Sequence, residues 1–202
     1  MTALAVGCRY EVLPMMWQPD PARQIRAGYT IEDVLNLPED APRVELVDGV
    51  MVVVPSPSVG HQNIGNLLWS WFHRNAPTTF LPVTAVGVAV TTKDTFEPDV
   101  LLLKQPKPGA LDTSRHYLSP SEVSIVVEVV SPGTGQRDRY LKPGGYADAG
   151  IPYFWRIEQS PVRVFAFRLF DDGNYYLVAD TTELLELDEP FEIRLPIAEI
   201  TP

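Results

Sequence analysis

The chain has 202 residues, 45% apolar and 21% charged, which suits one domain with a sizeable buried core. No apolar run approaches the roughly 20 residues of a membrane span. A single cysteine, Cys8, excludes an internal disulfide and fits a reducing compartment, so a cytoplasmic location is expected, and a net charge of −10 argues against a general nucleic-acid binder.

Residues 1–28 carry Pro14, Pro19 and Pro21 without a clear period and read as an irregular arm. They lack the basic start of a secretory signal. Thr30-Ile31-Glu32-Asp33 has the form of a capping box, with Tyr29 placed to staple against Val34, and opens a short helix ending before Pro38. Val44–Val54 alternates around Asp48-Gly49, a dipeptide suited to the positive φ angles of a tight hairpin. Ile64, Leu67, Leu68, Trp71 and Phe72 fall on one face of a helix over His61–Arg74. Strands are expected at Thr84–Thr92, Asp99–Leu103 and Ile125–Val130, with Pro106-Lys107-Pro108-Gly109 as a loop between the last two. A helix follows over Leu141–Ala149, with Asp138 as an anchor near its start and Gly150 as its terminator. Pro143 fits only in its first turn, which puts Lys142 at the helix N-terminus. Strands at Tyr153–Glu158, Val162–Leu169 and Tyr175–Ala179 and an extended or edge element at Phe191–Ile200 complete the chain.

Two acids stand inside apolar runs: Asp99 before Val100-Leu101-Leu102-Leu103, and Glu128 within Ile125–Val130. A carboxylate there costs several kcal/mol, roughly as for a buried unpaired ion, unless something compensates it. A divalent metal shared by both is one compensator. Charge is also uneven. From Asp171 onward nine acids face Arg194 alone, whereas Lys104–Lys142 holds six basic residues against four acids. A localised basic face around Arg115, Arg137, Arg139 and Lys142 is therefore expected.

The element order, with an acid on the second strand and another on the third, resembles the PD-(D/E)XK nuclease fold. Within it the chain is similar to the Uma2 family, the DUF820 group of restriction-endonuclease-like proteins. The matching stretches are Glu45-Leu46-Val47-Asp48-Gly49, His61-Gln62 with Gly65-Asn66-Leu67, Pro98-Asp99-Val100 and Val127–Pro132. Arg137-Asp138 with Lys142 and Tyr146, and Ala149–Trp155, complete a match over residues 43–158. The resemblance implies an α/β, restriction-endonuclease-like αβββαβ core with a central mixed sheet and added β-hairpins, as a single domain over residues 29–202. It implies Mg²⁺ or Mn²⁺ held by Asp99, Glu128 and the backbone carbonyl of Val129, and hydrolysis of DNA phosphodiesters. The lysine of the parent motif is here Val130, so Lys142 is the expected catalytic cation, with Tyr146 one turn later on the same helix face. Supporting roles fall to Glu45 and His61, and nucleic-acid contacts to Arg115, Arg137 and Arg139. The expected partners are DNA and a second copy of the chain, with no membrane.

The residues leave bland alternatives open. Asp99 could cap a loop, Glu128 could pair with Lys142 or Arg139, Lys142 could be an ordinary helix residue and Glu45 a surface acid. His61 could be a helix-start residue or face the site and help proton transfer, and the isolated His73 and His116 with the lone Cys8 do not form a zinc set. A catalytically silent interaction or regulatory module on the same fold is the competing reading. The Val130 departure and the net charge favour it.

Overall fold

Two apolar runs set the centre of the molecule. β6 (Val100–Lys104) and β8 (Val123–Val129) pair antiparallel, and all seven residues of β8 are buried. A computed structural model describes residues 28–105, 112, 114–131 and 137–202, with Arg137 described by its backbone alone. The N-terminal arm before Gly28, the Pro106–Gly109 loop and the Arg137 side chain lie outside the described residues.

Around that centre a six-stranded sheet runs in the order β11-β10-β9-β8-β6-β3, from β3 (Phe80–Val83), β9 (Tyr153–Gln159), β10 (Val162–Leu169) and β11 (Tyr175–Thr181). Only β8 and β9 pair in parallel within it, as their connection through a crossover helix requires, so the sheet is mixed. A smaller sheet, β2-β1-β5-β4-β7, combines the hairpin β1 (Val44–Val47) and β2 (Val50–Val53) with β4 (Gly87–Ala89), β5 (Thr95–Phe96) and β7 (Tyr117–Leu118). Asp48 (φ 50°) and Gly49 (φ 71°) make the expected turn.

Period-two alternation divides β6 and β8 between two cores. Val100, Leu102, Ile125, Val127 and Val129 face α2 (Val59–Asn75), where they meet Ile64, Leu68, Trp71 and Phe72. Leu101, Leu103 and Val126 face the other way, toward Phe96, Phe154 and Tyr146 of α3 (Lys142–Asp148). Each such side chain contributes about 1.5–3 kcal/mol when fully buried. The short first helix, α1 (Ile31–Leu35), starts as predicted. Asp33 accepts from the backbone N–H of Thr30 at 2.9 Å, and Tyr29 packs with Leu46 and Met51 beside Val34.

The structure refines three expectations. The strand expected over Thr84–Thr92 shortens to β4 (Gly87–Ala89), and Ala85, at φ 55°, turns the chain out of β3, which ends at Val83 in the other sheet. Gly87 then lies against the Tyr117 ring, where a Cβ would come within 2.3 Å. A π-helical turn over Arg137–Leu141 precedes α3, so that helix is shorter at its start. The C-terminal element is an extended edge strand as expected, and its partner is what the sequence left unmarked: β12 (Leu184–Leu187) pairs with β13 (Ile193–Pro196) in a two-stranded sheet, and a 3₁₀ turn over Ile197–Ile200 follows. Leu185, Ile193, Leu195, Ile197 and Ile200 all enter the α2 core. Among the described residues no helix is long and apolar enough to cross a membrane.

Candidate active site

The β6–β8 register pairs Val100 with Val127, and the backbone N–H of Asp99 donates to the Val127 carbonyl at 3.1 Å. One step further along the ladder sets Asp99 across from Glu128, on the sheet face covered by α3. Both acids line one cleft of about 280 Å³ together with Val129, His61, Asp138 and Lys142. Asp99 Oδ2 accepts from the Val129 N–H at 2.7 Å and lies 3.3 Å from Nε2 of His61. His61 reaches it from the first turn of α2, whose start is fixed by Ser58 accepting from the His61 N–H.

Glu128 is held from α3. Lys142 Nζ donates to both of its carboxylate oxygens at 3.0 Å, and the Tyr146 hydroxyl donates to Oε1 at 2.6 Å. The predicted spacing of Lys142 and Tyr146 on one helix face is therefore what aims both at Glu128. The same ammonium lies 3.0 Å from Glu45 Oε1 on β1 and 3.5 Å from Asp138 Oδ1. Glu45, Glu128, Asp138 and Lys142 are all under 5% exposed.

Burial and neighbouring charge move the titrations of Glu128, Lys142, Tyr146 and His61. Glu128 is pushed up to about 8 by burial, with Lys142 pulling down and Asp99, Asp138 and Glu45 adding to the rise. Burial alone would lower Lys142, but the Glu128, Glu45 and Asp138 carboxylates outweigh it and raise it. Tyr146 is raised by burial and by Glu128 beside it. Burial would likewise lower His61. Asp99 outweighs it and leaves the imidazole raised, with a backbone hydrogen bond at Val129 adding to the effect.

The donor set suits a hard divalent cation. A carboxylate offers about four lone-pair positions. The contacts above use two at Asp99 and three at Glu128, so both can still take a cation. Among the described residues no three His, Cys, Asp or Glu side chains are gathered as a metal cluster. A cation here would draw its remaining ligands from backbone carbonyl and water.

Asp99, Glu128, Val129, His61, Lys142 and Tyr146 thus come together, with Glu45 beneath them. Of the described side chains expected in a basic face, Lys142 lines the cleft and Arg115 does not. Arg115 lies in a bidentate pair with Glu122 at 2.8 and 3.0 Å, an acid seven residues along at the end of the 3₁₀ turn that follows β7. Arg139 pairs with Glu158 at 2.7 and 3.0 Å beside the cleft. The acidic segment after Asp171 contributes no lining residue. Two cleft residues escape the sequence reading. Asp138 is a partner of Lys142 rather than only a helix anchor, and its i,i+4 spacing from that lysine is the signal. Arg43 lines the cleft from just before β1, and nothing local marks it.

A family model described as "Putative restriction endonuclease", Uma2, matches residues 31–198. The chain belongs to the Uma2 family. A solved structure from Anabaena variabilis, titled as a putative nuclease belonging to DUF820, superposes with a TM-score of 0.67 at 17% identity. The match covers 85% of this chain and 96% of that one, and it shows the shared nuclease-like α/β fold of this Uma2 member. No curated protein matches the sequence.

Proposed function

We propose that this Uma2 protein is a metal-dependent endonuclease of the PD-(D/E)XK type that hydrolyses DNA phosphodiesters. The observation that carries the reading is the convergence of Asp99 and Glu128 on one cleft, one ladder step beyond a buried strand pair. Asp99, Glu128 and the Val129 carbonyl would hold Mg²⁺ or Mn²⁺. Such an ion lowers the pKa of a bound water and stabilises charge on phosphate oxygens.

The chain's own residues prepare that site. The Val129 N–H and His61 fix Asp99, Tyr146 and Lys142 fix Glu128, and Lys142 neutralises part of a surplus of buried carboxylate charge. A prearranged set of this kind loses little to reorganisation during reaction. The silent-module reading draws on one observation as well. An ammonium has three donors, and those of Lys142 are met by Glu45, Glu128 and Asp138.

Thermal unfolding with and without Mg²⁺ or Mn²⁺, paired with nicking of supercoiled plasmid, separates the two. A metal at 100 times its Kd stabilises by about 2.7 kcal/mol. Stabilisation with nicking that Asp99→Asn abolishes is expected. Neither effect under any divalent metal would leave the silent module.

A further inference from the structure

The cations that line the cleft are Arg43, His61 and Lys142. Lys142 is 4% exposed with its donors met by carboxylates, and His61 is 8% exposed. Neither presents charge to the outside. Arg43 does: its side chain is 39% exposed. Its backbone is pinned just before β1 by the Val54 N–H donating to its carbonyl at 2.9 Å. It also lines, with Asp99 and His61, a second small hollow beside the cleft.

Its guanidinium is paired with Glu97 through Nε, and Nη2 makes a long 3.4 Å contact to the Glu97 carbonyl. A guanidinium has five N–H donors. The pairing therefore leaves part of the fork for another acceptor, and phosphate oxygens match its bidentate geometry. Glu97 is tied in turn to the buried cluster, since its backbone N–H donates to Glu45 Oε1 at 3.0 Å.

We infer that Arg43 is the substrate-phosphate contact of this site: it takes a backbone phosphate of the nucleic acid at the cleft mouth, with Glu97 as the counter-ion that the phosphate displaces. This rests on the nuclease reading above. It also differs from a structural salt bridge in the sign of one result. Removing Glu97's charge frees Arg43 and strengthens phosphate binding, whereas loss of a structural bridge weakens the protein from either side.

The test is fluorescence anisotropy of labelled single-stranded and duplex DNA with Ca²⁺ in place of Mg²⁺, read across salt concentrations. Arg43→Ala should weaken binding about tenfold and reduce the salt slope by about 1. Arg43→Lys should recover part of the loss, Glu97→Gln should tighten binding, and Arg115→Ala, outside the cleft, should change neither. Unfolding curves of each variant accompany the binding, because an exposed pair contributes little to stability, and Arg43→Ala and Glu97→Gln should both unfold as the wild type does. Wild-type binding that Arg43→Ala leaves intact, or equal weakening by Arg43→Ala and Glu97→Gln, overturns the assignment while the nuclease reading stands. No binding of either DNA form by the wild type overturns both.

Discussion

Lys142 Nζ lies 3.0 Å from Glu45 Oε1, so a buried charge pair ties the first strand of the chain to the helix behind its central strand. The ammonium also serves Glu128 and Asp138, which makes it the counter-ion of three buried acids. A lysine at a helix start is normally a candidate for a mobile cation that reaches substrate. This one is committed to the protein interior.

Lys142→Ala should therefore unfold at markedly lower urea, by about 3–5 kcal/mol, because it strands buried carboxylates without their cation. Mg²⁺ or Ca²⁺ should restore part of the loss if the cluster then accepts a divalent ion in its place. A variant as stable as the wild type would show that the acids are neutral or hydrated in the folded state.

The pH dependence of stability has a definite sign at Glu128. Its pKa is about 8 folded and near the ordinary 4.5 unfolded, so the folded chain holds that proton more tightly. The associated stability is complete below about pH 4.5 and drains away as pH rises to about 8. Unfolding free energy of the wild type should thus fall relative to Glu128→Gln between those limits. The opposite trend would mean that Lys142 keeps Glu128 ionised throughout.

Tyr146→Phe keeps the ring in the core and removes only the hydroxyl that donates to Glu128 Oε1 at 2.6 Å. A hydrogen bond to a neutral carboxyl is worth about 0.5–1.5 kcal/mol and one to a carboxylate about 1.5–3 kcal/mol. A stability loss in the lower range is expected in chemical denaturation below the Glu128 pKa of about 8, and in the upper range above it. A negligible change would show that water or Lys142 replaces the donor.

Gly145→Ala probes the same helix from outside the charge cluster. A Cβ there would lie 2.7 Å from Cε2 of Phe96, which is itself 2% exposed and packed edge-on to Tyr146. Overpacking costs about 1–3 kcal/mol, and better helix propensity returns at most about 1 kcal/mol. Net destabilisation should appear in urea melts, together with weaker metal binding as α3 shifts. Unchanged metal binding would show that the site tolerates movement of this helix.

Much of this was legible in the residues because period and polarity carry it. The apolar runs of β6 and β8, the face shared by Ile64, Leu68 and Trp71, and the acids at Asp99 and Glu128 all depend on local pattern. The 84–92 segment misled because the turn falls on Ala85 rather than a glycine, so nothing local announces a break. The Leu184–Leu187 strand is hard to read because only Leu185 of its four residues is buried, too little alternation to mark a strand. Arg43 and the full partnership of Lys142 were hidden for a different reason. Their meaning depends on Glu97 and Glu45, which only tertiary folding brings alongside.

That dispersal has a kinetic consequence. The charges of the cluster come from β1, β8, the turn before α3 and α3 itself, and Glu45 is far along the chain from the other three. Contacts between remote segments form late, since loop closure must precede the gain they bring. A nascent chain released before its final helix has neither the lysine nor the tyrosine that orients Glu128. Assembly of the buried cluster thus reports that β1, β8 and α3 have come together, and a chain that ends before α3 leaves the Glu45 and Glu128 carboxylates without their cation.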